Sequence, residues 1–109
     1  MAENKPDMIN PNHYKGLPGL FDKNGQPAQA IDVIEAACSS YANACIEAGM
    51  KDAPGISDLG NILKYALRVG KKKPDASYQS SQKEKNLEEA DKIVWYAKRF
   101  SKKVSEYED

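Results

Sequence analysis

Apolar residues recur at helical spacing in three stretches of the chain. From Ala30 to Ala48, the residues Ile31, Ile34, Cys38, Tyr41, Cys45 and Ala48 follow one another at steps of 3, 4, 3, 4 and 3, which makes one stripe along a helix. Gly49 then supplies the residue that ends such a helix in the left-handed conformation. Pro54-Gly55 interrupts the pattern, and Ser57 or Asp58 is placed to cap a second helix. Its apolar face is Leu59, Ile62, Leu63, Ala66 and Leu67, and Gly70 ends it. A third stretch, from about Asn86 to Tyr107, carries Leu87, Ala90, Ile93, Val94, Ala97, Phe100, Val104 and Tyr107 as a broad apolar side. No segment alternates with period two. Four prolines and three glycines break up residues 1–29, where Asn24-Gly25 predicts a tight turn. Asp75 to Lys85 is a polar, Ser/Gln-rich linker. The pattern predicts one all-α domain: an irregular segment 1–29, then a helical region 30–109 forming a small bundle of three main helices.

Composition narrows the class. The 109 residues are 40% hydrophobic and 29% charged, a globular balance. No apolar run approaches the ~20 residues that span a bilayer, and the N-terminus lacks a hydrophobic leader, so neither membrane insertion nor secretion is expected. Cys38 and Cys45 are two helical turns apart, about 10 Å, too far for a disulfide with each other. Both are expected in the core, in a reducing cytosol. Net charge is zero but segregated: residues 1–59 balance at minus four, 60–86 at plus five and 87–109 at minus one. A cationic middle in a neutral chain suits a local phosphate or carboxylate, whereas a duplex-DNA binder carries a basic excess over the whole domain.

The chain has no GxxxxGK[ST] loop, no HExxH and no Cys/His pair at zinc spacing, and a lone His13 builds no metal site. What remains is a cationic, aromatic set. Asn61, Lys64, Tyr65 and Arg68 lie at helical steps on one face, and Lys71, Lys72 and Lys73 extend it past Gly70. Tyr14, Tyr65, Trp95 and Tyr96 offer π faces to a base, and Lys92, Tyr96 and Arg99 share a polar face of the third helix. Arg68 is expected to be exposed, so its removal is expected to cost the fold ~0.5 kcal/mol or less. Asp32 and Glu35, early on the first helix, are weak candidates for magnesium or a ribose hydroxyl. The plainer reading is that the cations are solvated or favoured by the helix dipole, and that Tyr65 and Trp95 pack. Trp95, Tyr96 and Phe100 add apolar area that a monomer of this size would struggle to cover, which predicts a homo-oligomer.

Four blocks carry a resemblance: His13-Tyr14-Lys15; Ile31-Asp32-Val33-Ile34-Glu35; Leu59-Gly60-Asn61 with Lys64-Tyr65, Arg68 and Gly70-Lys71-Lys72; and Leu87, Ala90, Ile93, Trp95-Tyr96 and Arg99. In this order they resemble the SaV-like family of small tailed-phage proteins, over about residues 10–100. The family includes a domain similar to that of an oligomeric coliphage nucleoside monophosphate kinase without a Walker motif, and a relative sensed by a bacterial abortive-infection system. The resemblance implies a phage protein of the infected host's cytoplasm that binds a nucleotide or nucleotide-derived phosphate ligand. The ligand-binding residues would be His13, Tyr14, Lys15, Asn61, Lys64, Tyr65, Arg68, Lys71, Lys72, Trp95, Tyr96 and Arg99. As a kinase it would use ATP and magnesium. The alternatives are a non-enzymatic sponge for a nucleotide immune signal, and a factor that acts on a host defence protein. The segments 16–29 and 74–85 look longer than the family's usual ones, and Ile56-Ser57-Asp58 stands where an aromatic often precedes the Leu-Gly-Asn block.

Overall fold

A computed structural model describes residues 19–71 and 81–108. His13, Tyr14, Lys15, Lys72 and most of the 75–85 linker lie outside them. Among the described residues the chain is all-helical: α1 (Ala30–Glu47), α2 (Ile56–Arg68) and α3 (Gln82–Glu106). No helix is long and apolar enough to cross a membrane.

Each boundary has a local cause. Ahead of α1, the Asn24-Gly25 turn forms with Gly25 at φ +79°, and Phe21 pairs with Pro27 across it. One carboxylate oxygen of Asp22 accepts from the amides of Asn24 and Gln26, both at 2.9 Å, which fixes the loop. Asp32 caps α1, its Oδ2 accepting from the Gln29 amide at 3.0 Å. The α2 cap differs from the expectation. Gly55, at φ +74°, precedes the helix, and neither Ser57 nor Asp58 caps it, because Asp58 turns inward to two cations. α3 begins four residues earlier than the periodicity suggests, since Ser81 and Glu84 form a reciprocal capping box inside the polar stretch read as linker.

α2 is the central helix. One side meets α1, where Gly60 lets Cys38 and Ile34 approach within 4 Å of where a Cβ would sit. The other side meets α3 along the more extensive of the two contacts. Phe100 of α3 also reaches α1, packing edge-on to Tyr41 at 5.7 Å, while Tyr41 donates a hydrogen bond to the Pro54 carbonyl at 2.8 Å. Near the end of α3, the Tyr107 hydroxyl accepts from the Lys51 amide at 2.7 Å.

The core is small, and two of its members are charged. Ala28, Ala30 and Cys45 are buried, and so are Asp58 and Glu89. Cys38 is only half-buried, and Ile31 and Ala48, the ends of the expected α1 stripe, are exposed. The broad apolar side read on α3 divides into two. Ile93, Phe100 and Tyr107 turn inward beside Glu89 and Tyr96, whereas Leu87, Ala90, Val94, Ala97 and Val104 stay exposed.

Candidate functional site

The face of α2 carrying Lys64, Tyr65 and Arg68 is turned toward α3, and it meets Glu89, Lys92 and Tyr96 there. At its centre the Tyr65 and Tyr96 rings stack, with centroids 5.8 Å apart and planes 17° from parallel. Trp95 packs edge-on to Tyr96 at 4.9 Å. Three cations converge on the Tyr65 ring: the Arg68 guanidinium at 4.7 Å from the centroid, Lys92 Nζ at 5.2 Å and Lys64 Nζ at 5.4 Å. All three distances fall within the range of cation–π attraction.

Beneath this cluster lies Glu89, 1% exposed. Arg68 grips it with two bonds, Nε to Oε1 at 2.8 Å and a terminal nitrogen to Oε2 at 3.2 Å, and Lys92 lies 3.9 Å from Oε2. The geometry is the fork-to-carboxylate pairing that arginine forms and lysine does not. Arg68 is therefore an interhelical tie with its side chain 11% exposed, not the solvent-facing residue expected from spacing.

Arg99 belongs to a second pairing one end further along α3. Its Nε donates to Asp58 Oδ1 at 3.1 Å, and Lys103 Nζ sits 3.0 Å from Asp58 Oδ2. The Arg99 guanidinium also lies 5.1 Å from the Trp95 ring centre, and Trp95 is 55% exposed. Burial alone would push the Asp58 carboxyl up. Lys103 and Arg99 outweigh that effect and hold it below its ordinary value of 3.8. A carboxyl with a depressed native pKa stabilises the fold fully above its unfolded value, and that contribution fades as pH falls through the native one. The melting-temperature gap between wild type and Asp58→Asn is thus expected to be constant above about pH 5 and to close in acid. Thermal melts in a pH series check this, and a gap that persists unchanged to the acid limit would sink the assignment.

The remaining expected residues divide. Asn61 bonds back to the Ser57 carbonyl at 3.1 Å, and Lys71 caps the end of α2 through the Leu67 carbonyl at 3.0 Å. Asp32 and Glu35 sit elsewhere, lining an open groove of about 740 Å³ with Leu20, Phe21 and Lys23. Asp32 is engaged in capping α1, and among the described residues no three His, Cys, Asp or Glu side chains gather as a metal site. The role of Lys92 was only partly legible, as its place on a polar face of α3 did not reveal its approach to Tyr65.

The fold and this face define a small three-helix domain whose α2–α3 seam is built from aromatic rings and paired charges. Comparison with protein-family models, curated proteins and solved structures finds no match to the chain.

Proposed function

We propose that the α2–α3 face binds a phosphate-bearing nucleotide or nucleotide-derived ligand without turning it over. The observation that carries the reading is the convergence of Lys64, Arg68 and Lys92 on one tyrosine ring beside the buried carboxylate of Glu89. Three cations so close repel one another, and a bound phosphate relieves that repulsion through charge-assisted hydrogen bonds. Lys64 forms no ion pair among the described residues, and Lys92 reaches Glu89 only at 3.9 Å, so both retain donors for an anion. Trp95, more than half exposed beside Tyr96, offers a stacking surface for a base.

Binding is favoured over phosphoryl transfer by the state of the local carboxylates. Asp58 and Glu89 are both buried and held by cations, which leaves neither available to carry magnesium or accept a proton. The resemblance to the SaV-like family supports the nucleotide class and a place in the cytoplasm of an infected bacterium.

Calorimetric titration with a panel of nucleoside phosphates and cyclic dinucleotides tests the reading. Lys64→Ala and Lys92→Ala should each weaken binding by about 1.5–3 kcal/mol, the range for hydrogen bonds to charged groups. Lys64→Ala should leave unfolding free energy within about 0.5 kcal/mol of wild type. No heat with any phosphate ligand, or unchanged affinity in both variants, overturns the proposal and moves the function to protein partners.

A further inference from the structure

The exposed side of α3 is a heptad seam. Leu87, Ala90, Val94, Ala97, Ser101 and Val104 follow at steps of 3, 4, 3, 4 and 3, and all six are exposed. Leu87, Val94 and Val104 expose 56%, 49% and 43% of their surface. The stripe is about 26 Å long at 1.5 Å per residue. It lies on a different side of the helix from Glu89, Ile93, Tyr96 and Phe100, which face into the fold. Of Trp95, Tyr96 and Phe100, the residues that predict self-association from the sequence, Tyr96 and Phe100 are packed within the chain, and Trp95 is exposed beside the stripe but is not one of its six positions.

We infer that this seam pairs antiparallel with the α3 of a second copy of the chain, across a two-fold axis near its midpoint. The sequence fits such a pairing layer by layer. Opposed about that axis, Leu87 meets the second copy's Val104, Ala90 meets its Ser101 and Val94 meets its Ala97, and symmetry repeats each layer. The two outer layers set Leu87 against Val104, and the four inner ones each contain an alanine, against serine or valine, which lets the helices approach closely there.

Charge selects the orientation. Asp91 and Lys98 flank the seam on one side. Neither has an opposite charge at three or four residues on its own helix: Asp91 has Leu87, Glu88, Val94 and Trp95, and Lys98 has Val94, Trp95, Ser101 and Lys102. Neither forms an ion pair among the described residues. The antiparallel arrangement brings Asp91 of each copy beside Lys98 of the other, twice by symmetry. A parallel arrangement would separate them along the axis, and flanking charges of this kind set orientation in paired helices.

Light scattering on the full chain at micromolar concentration is expected to give twice the 12.1 kDa chain mass. Val94→Lys should raise the dimer dissociation constant at least about a hundred-fold, since symmetry counts the buried charge twice. The far-UV helical signal should be retained, because Val94 is half exposed on the outer side of α3. Asp91→Lys and Lys98→Asp should each run as a monomer alone, and an equimolar mixture of the two should recover the dimer. A monomeric wild type, a dimer indifferent to Val94→Lys, or charge variants that fail to recover on mixing would each overturn the inference.

Discussion

Arg68→Ala is expected to lower the unfolding free energy by about 3–5 kcal/mol, the cost of removing one partner from a buried ion pair. Glu89 is 1% exposed, and the substitution deprives its carboxylate of two hydrogen bonds at 2.8 and 3.2 Å. Lys92 is a poor replacement, since it stands 3.9 Å away with its own side chain 42% exposed. For a domain of this size each kcal/mol moves the melting temperature by about 4–8 °C, so the loss should reach roughly 12 °C or more. Replacing both partners with apolar residues, as in Arg68→Met with Glu89→Leu, should recover much of it, because no charge is then left buried. Urea unfolding of the three variants checks the ordering. A loss below about 1 kcal/mol in Arg68→Ala would show that the pair does not hold α2 to α3. This outcome also bears on the binding site: an Arg68 variant that loses affinity together with stability reports on the fold, which is why Lys64 and Lys92 carry the binding test.

Gly55→Ala is expected to destabilise by about 2–5 kcal/mol, from two additive causes. At φ +74° a Cβ costs about 1–2 kcal/mol in left-handed strain. The added methyl would also stand 2.7 Å from Phe100 Cδ1 and 3.4 Å from Phe100 Cα, so a packed ring and the α3 backbone would both have to shift. Overpacking of this kind costs about 1–3 kcal/mol. Gly25→Ala is the control, since Gly25 has φ +79° but nothing within 4 Å of the added carbon, and it should show the strain alone. Equal melting temperatures for the two variants would mean that Phe100 does not close on the start of α2.

The sequence made three features of the site readable. Tyr65, Tyr96 and Trp95 were legible as aromatic surface, and Lys64 and Arg68 as a cationic pair one turn apart. The segregation of charge into residues 60–86 pointed to the same region. It did not reveal that Arg68 and Arg99 are committed to Glu89 and Asp58, 21 and 41 residues away. Helical periodicity reports which residues share a face. It is silent on which face a neighbouring helix will cover, and a carboxylate on a polar face reads as solvated whether or not an arginine from another helix reaches it. Sequence alone accordingly offers Ser57 or Asp58 as a cap, the common use of such residues ahead of a helix.

By itself the sequence determined the three helices, the Asn24-Gly25 turn and the glycine that follows α1, because these depend on local backbone preference and on a 3.6-residue period that neighbours in the chain fix between them. The Ser81–Glu84 capping box was equally local, and its signature lies in the sequence although the linker's polar composition masked it. Only the tertiary structure decided that α2 sits between α1 and α3, that the Lys64–Arg68 face is an interface, and that the apolar residues of α3 divide between an inner side and an exposed seam. Those outcomes depend on helix rotation. About 100° separates one residue from the next around a helix, so a turn of the axis by that amount exchanges buried for exposed positions. Leaving Asp58 or Glu89 buried without a cation is costly, and the rotation observed gives each of them one.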